Sequence, residues 1–179
     1  MTKDTTKDRM GRLLALLTPR QRLGDLRELD LAILQIQGIR GIIFDLDNTL
    51  IPWDSHCMPP EIIQWLQEVK KKGFAMAIVS NNRKKRVAAF AGPQQMHYVS
   101  RAYKPSGGGF LRAAASMGLE PAAIAVVGDQ LLTDVLGGNR LRMYTVWVAP
   151  LPAKVLIGSR IIRRLECEIV KKICERGWM

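Results

Sequence analysis

Cysteine is scarce. The 179 residues hold three, Cys57, Cys167 and Cys174, with no C-x-x-C pair, which excludes a disulfide framework and supplies no zinc-binding pattern. A reducing compartment suits such a chain. Cys167 and Cys174 stand seven residues apart, on one face if that segment is helical, and read as core or interface thiols. Aromatic residues make up only 6%, too few for a base-stacking surface along a nucleic acid strand. No apolar run approaches the roughly 20 residues that cross a bilayer. The longest, Gly73 to Val79 and Ala122 to Val127, have the length of core strands. Leu13 to Leu17 is too short for a secretory signal core and has no small-residue cleavage site behind it. Acidic residues are outnumbered, 16 against 27 basic, so the formal charge is 27 − 16 = +11 and the pI is near 10.0. Hydrophobic residues at 47% and charged residues at 24% are globular proportions, and they exclude a disordered chain.

What is present is a β-then-α rhythm. Short apolar runs at about 40–45, 74–79, 96–100, 123–128 and 143–148 alternate with amphipathic segments at about 60–72, 82–91, 106–117 and 130–138. That alternation predicts a parallel sheet covered by helices on both faces. Pro59-Pro60 opens the first of these helices, Gly73 closes it, Gly118 follows the third and Pro121 precedes the fourth strand. The chain divides into a lead-in, residues 1–38, an α/β core, 39–150, and a basic amphipathic helix within 151–179. In the lead-in, residues 1–12 read as polar and mobile, and Met10 to Leu34 as one or two short helices. In the last segment Ile161, Ile162, Leu165, Ile169 and Ile173 form an apolar stripe, with Arg163, Arg164, Lys171 and Lys172 between them.

The chemistry-bearing residues stand where an open α/β sheet binds ligands, beyond the carboxyl ends of its strands. The first strand runs into Asp45-Leu-Asp47-Asn-Thr49, and the second ends in Ser80-Asn81-Asn82. Tyr103-Lys104-Pro105 precedes the third helix, and the fourth strand ends in Gly128-Asp129, with Thr133-Asp134 beyond. Each has a plain alternative: Asp45 and Asp47 as acidic turn residues, Ser80 and Asn82 as helix caps, Lys104 as a surface lysine, Asp129 and Asp134 as a cap and a helix-surface charge. Four coincidences at four correct positions, in order, are improbable.

Together these residues resemble the four motifs of the haloacid dehalogenase (HAD) superfamily, over roughly residues 39–148. The resemblance implies a HAD-like Rossmannoid three-layer sandwich with sheet order 5-4-1-2-3 and Mg²⁺ at its centre. It implies Asp45 as nucleophile and Asp47 as general acid and base, a role that would ask for neighbouring negative charge to lift its pKa. It implies Mg²⁺ on Asp45, the Asp47 carbonyl and Asp129, with Asp134 helping directly or through water, and phosphate held by Ser80, Lys104 and the Asn81 backbone amide. Thr49 would support the turn, and Gly128 would let the chain turn tightly.

Spacing leaves no room for the cap domain that HAD enzymes acting on small metabolites usually carry, so the enzyme reads as capless. The runs Gly41 to Leu50, Val79 to Asn82, Lys104-Pro105 and Gly128 to Arg140, with Gly137-Gly-Asn-Arg140, look like the YqeG-type branch. That branch is similar to the phosphatidylglycerophosphate phosphatases of mitochondria and plastids. The chain departs from the branch pattern across Thr18 to Arg27. An open site and the basic run Arg83, Lys84, Lys85 and Arg86 suit anionic phospholipid and a cytoplasmic enzyme peripheral on the inner face of a membrane. Small phosphate esters would be substrates in vitro. The alternatives are a phosphatase acting on nucleic acid ends or phosphoprotein, and a non-catalytic basic binding module.

Overall fold

The computed structural model describes residues 3–152 and 157–178, with side chains from Arg9 to Pro152, at Ile162 and from Arg164 to Trp178. Among the described residues six strands, all parallel, form one sheet. They are β1 (Gln21–Leu23), β2 (Gly41–Phe44), β3 (Ala75–Val79), β4 (His97–Val99), β5 (Ile124–Gly128) and β6 (Tyr144–Val148), in spatial order β1-β6-β5-β2-β3-β4. The five strands expected from the apolar runs stand in the expected order. The sixth, β1, is a correction: it pairs with β6, Gln21 opposite Val146 and Leu23 opposite Val148.

Helices cover both faces. Alternation along β2 sends Ile42 and Phe44 to one side and Ile43 to the other. The first side packs Ile62, Leu66 and Val69 of α3 (Pro60–Lys71) and Val87, Phe90 and Ala91 of α4 (Lys84–Ala91). The second packs Phe110, Ala113 and Ala114 of α5 (Gly107–Met117). α3 begins with Pro60 in its first turn and ends before Gly73, whose φ of +84° puts it in the left-handed region. Between β2 and β3 there is α3 and its loop, and between β3 and β4 there is α4, so no cap domain is inserted at either place.

The flanking segments join the core. α1 (Lys3–Leu17) is helical from Lys3, against the expectation of a mobile start, and is followed by a short α2 (Leu31–Ile36). Leu14 and Leu17 of α1 pack with Leu131, Val135 and Leu136, and with Ile173 of the last helix, α7 (Ile157–Cys174). Ile169 and Val170 adjoin that cluster, whereas Ile162 and Leu165 are exposed, so the apolar stripe is split between the core and solvent. Ile161 and Arg163 lie outside the described side chains. Cys167 and Cys174 are exposed, not core thiols. The Gly137-Gly-Asn139 run lies in α6 (Leu136–Arg140). A Cβ at Gly137 would run into the Phe110 ring, and Asn139 Nδ2 donates to the Leu16 and Thr18 carbonyls at 2.8 and 2.9 Å.

Candidate active site

The carboxyl ends of β2 and β3 and the connections beyond β4 and β5 open on one cleft of about 430 Å³, lined by Asp45, Asp47, Ser80, Asn81, Lys104 and Thr133 among others. Asp45 extends the ladder, its N–H donating to the Val127 carbonyl at 2.9 Å. The chain then turns. Leu50 and Ile51 donate to the Leu46 carbonyl at 3.0 and 3.1 Å, and Asn48, at φ 66°, accepts from Trp53 N through its side chain at 3.3 Å. Asn48 and backbone close this turn. Thr49, expected to support it, instead donates to Asp129 Oδ1 at 3.4 Å and belongs to the acid cluster.

Lys104 is held by Asn81. The Asn81 side chain accepts from Lys104 N at 2.7 Å and donates to Lys104 O at 3.2 Å, a clamp on the lysine backbone that the sequence did not suggest. Ser80, buried at the end of β3, accepts from Asn82 N through Oγ at 3.1 Å. The Lys104 side chain is 3% exposed, and its Nζ donates to Asp45 Oδ1 at 2.7 Å and to Asp134 Oδ1 at 2.6 Å. Burial opposes its charge, but the Asp134 and Asp45 carboxylates outweigh burial and hold the ammonium ionised beyond the usual lysine range.

Asp45, Asp129 and Asp134 each offer an oxygen within 4.8 Å of the others. Gly128 makes room for this by its lack of a side chain rather than by an unusual turn, since a Cβ there would overlap the Asp134 carboxyl. Trp147 Nε1 donates to the Asp129 carbonyl at 2.8 Å, and Gln130 N to Asp134 Oδ2 at 3.2 Å. Buried Glu166 of α7 accepts from Leu132 N at 3.2 Å and ties the last helix to this segment; the amphipathic pattern gave no sign of that. Burial, then the charges of Asp45 and Asp134, push Asp129 up to about 8, with Lys104 pulling the other way. Burial raises Asp45 to about 6 against the pull of Lys104. When all three carboxyls are ionised they leave, beside one lysine, 3 − 1 = 2 negative charges in a desolvated place, the charge that a divalent cation with oxygen ligands neutralises. The donor set therefore fits such an ion.

A stability consequence follows from the direction of these shifts. Asp45 and Asp129 are raised above their ordinary 3.8, so the metal-free folded chain binds more protons than the unfolded one between that value and about 8. Its stability should therefore fall as pH rises through that interval. Added Mg²⁺ should restore more at about pH 8 than at about pH 5, because the ligands must be ionised to bind it. Thermal melts of chelator-treated protein at both pH values, with and without Mg²⁺, check this. Identical midpoints would remove the acid cluster as a site of strained charge.

Asp47 has different surroundings. Asn82 Nδ2 donates to its Oδ2 at 3.1 Å, and the Arg86 guanidinium meets Oδ1 at 2.7 and 2.8 Å. The charge packed on Asp47 is thus positive, where the sequence reading asked for negative neighbours. Arg86 is correspondingly withdrawn from the basic run. Arg83, Lys84 and Lys85 are exposed, and Arg83 lines the cleft, but Arg86 faces inward and is no candidate for lipid contact.

Acid groups gathered around a buried lysine at the carboxyl edge of a doubly covered parallel sheet stand where α/β enzymes bind their ligands. Residues 52–142 match the haloacid dehalogenase-like hydrolase family, and residues 10–91 match the mitochondrial PGP phosphatase family. The chain is 40% identical over 144 residues to the probable phosphatase YqeG of Bacillus subtilis (strain 168), covering 80% of this chain and 84% of that protein. It is 28% identical over 172 residues to phosphatidylglycerophosphate phosphatase 1, chloroplastic/mitochondrial, of Arabidopsis thaliana, spanning 89% of this chain and 49% of that protein. The cobalt-bound deoxy-D-mannose-octulosonate 8-phosphate phosphatase of Haemophilus influenzae shares the fold at a TM-score of 0.53 and 11% identity, over 64% of this chain and 70% of that one. The chain belongs to the haloacid dehalogenase-like hydrolases and is a HAD-type phosphatase, a phosphoric monoester hydrolase. Enzymes of this superfamily use a divalent metal.

Proposed function

We propose that this phosphatase is magnesium-dependent and removes the terminal phosphate of phosphatidylglycerophosphate, leaving phosphatidylglycerol, at an anionic membrane surface. The observation that carries the proposal is the uncapped cleft with exposed Arg83 in its wall and exposed Lys84 and Lys85 next along the chain. An open site excludes water poorly until something covers it, and a bilayer carrying the substrate does so. A second cavity of about 410 Å³ shares Asn48 and Gln130 with the cleft and has Trp147, Ile162 and Val170 in its walls, a setting suited to the less polar part of a lipid. The match to phosphatidylglycerophosphate phosphatases supports the same substrate. Among the described residues no helix is long and apolar enough to cross a membrane, which fits peripheral attachment on an inner leaflet rich in anionic lipid.

In this reading Asp45 attacks phosphorus through a carboxylate oxygen, forming an aspartyl phosphate as the ester P–O bond breaks. Asp47 gives its proton to the departing oxygen, then takes one from the water that cleaves the intermediate and frees Asp45. Lys104, Ser80 and the Asn81 backbone N–H hold the phosphoryl oxygens. Asp45, the Asp47 carbonyl, Asp129 and Asp134 would hold Mg²⁺, which offsets repulsion between anionic nucleophile and anionic substrate.

The test is phosphate release from phosphatidylglycerophosphate in mixed micelles, beside a phosphorylated oligonucleotide and a sugar phosphate. The lipid is expected to be preferred; preference for the oligonucleotide would transfer the enzyme to nucleic acid ends. Replacing Arg83, Lys84 and Lys85 together by glutamine should weaken co-sedimentation with anionic vesicles at least about tenfold at low salt, and less at physiological salt. Unchanged vesicle binding and lipid turnover would make this run a solvated helix face.

A further inference from the structure

We infer that Arg86 is a positioning residue for Asp47 and that Asp47 exchanges its proton through Oδ2. The inference rests on the reading of Asp47 as acid and base and extends it to a residue outside the four motifs. Arg86 lies in the first turn of α4, with its side chain 18% exposed. Its Nε and Nη2 converge on one atom, Asp47 Oδ1, at 2.8 and 2.7 Å. The same guanidinium donates to the carbonyls of Trp53 at 2.8 Å, Ser55 at 2.9 Å and Pro52 at 3.4 Å, and its Cζ lies 5.4 Å over the Phe90 ring. The loop after β2 and the helix after β3 therefore fix it from several sides.

A guanidinium has donors only and does not deprotonate in proteins. Oδ1 thus faces the Nε–H donor and, 2.7 Å away, the Nη2 atom of a cation that can neither accept a proton nor turn away, so a proton placed there would meet a donor. That leaves Oδ2. Its partner is the neutral Asn82 amide at 3.1 Å, a weaker hold than the charge-assisted pair on Oδ1 and the one that gives way to a leaving oxygen. Asn82 is itself oriented, its Oδ1 accepting from Arg83 N at 2.7 Å. Both groups that grip Asp47 come from the segment immediately after Ser80. The strand end that presents the phosphate-binding hydroxyl therefore also aims the acid. Proton transfer needs heavy atoms within about 2.6–3.2 Å, and a misplacement of about 1 Å costs on the order of 10²-fold.

The experiment compares phenyl phosphate with p-nitrophenyl phosphate, two esters of one shape whose leaving groups differ in their need for a proton. In Arg86→Gln, kcat/KM should fall on the order of 10²-fold for phenyl phosphate and less than about tenfold for p-nitrophenyl phosphate. The preference for the nitrophenyl ester should thus rise about tenfold or more. Asp47→Asn should raise that preference at least as much, and Arg86→Lys, which cannot span Asp47 and the carbonyls together, should fall between. Inhibition by inorganic phosphate should stay unchanged, which a general distortion of the cleft would not permit. Arg86→Lys carries the test alone if the glutamine variant does not fold. Equal losses on both esters in the Arg86 variants, with a raised preference in Asp47→Asn, would overturn the role of Arg86. An unchanged preference in Asp47→Asn would instead overturn the assignment of Asp47 as leaving-group acid, and the inference with it.

Discussion

Asp45→Asn is expected to lower turnover by at least about a thousandfold while the chain folds as before, because an amide of the same shape is not a comparable nucleophile. The fold should survive for an electrostatic reason. Lys104 Nζ keeps Asp134 at 2.6 Å, and the cluster loses one of the charges that outnumber the lysine. Metal-free Asp45→Asn should accordingly melt no lower than the wild type. Acid-quenched reactions with labelled substrate should retain phosphate on the wild-type protein and none on the variant. Turnover in the variant at about a tenth of the wild-type rate, in a preparation free of contaminating phosphatase, would move the nucleophile elsewhere.

Lys104→Ala should damage both activity and stability. It removes the donor shared by Asp45 and Asp134 and leaves buried carboxylates without a counter-charge. Breaking a buried pair from one side costs about 3–5 kcal/mol. In a chain of this size that lowers the melting midpoint on the order of 10 °C. The loss should be larger at about pH 8 than at about pH 5, because the carboxylates take up protons in place of the missing cation as pH falls. Saturating Mg²⁺ should recover part of the midpoint but not the turnover. A midpoint within about a degree of the wild type in metal-free buffer at about pH 8 would show that the lysine does not carry this charge balance.

The motifs were readable because each is a polar group at the end of an apolar strand, a place where position and composition both mean something. Asp45, Ser80 and Lys104 line one cleft beyond the strands, and Asp129 offers an oxygen beside Asp45. Arg86 was hidden inside a run of four basic residues. Its signal was there in helical phase, since Val87 and Phe90 mark the buried side of α4 and Arg86 falls beside them. The clamp by Asn81 and the bond from Thr49 to Asp129 depend on how two separate loops meet, and local pattern carries nothing of that. β1 escaped because Gln21-Arg22-Leu23 has neither an apolar run nor alternation long enough to count. Its register comes from pairing with residues more than a hundred positions away.

The position of β1 has a further effect. The outermost strands, β1 and β4, are the shortest, three residues each, while the inner ones have four or five. An exposed strand edge is a template on which another chain can add its own backbone, and its danger grows with its length and flatness. β1 places three residues along β6, with Arg22 lying 4.9 Å over the Trp147 ring. A neighbouring copy therefore finds only a short ladder at either end of the sheet, beside a charge at one of them. Without β1, the five-residue strand that carries Trp147 would itself be the rim. The lead-in thus doubles as a guard against edge-to-edge aggregation, in a protein whose proposed workplace would crowd many copies onto one surface.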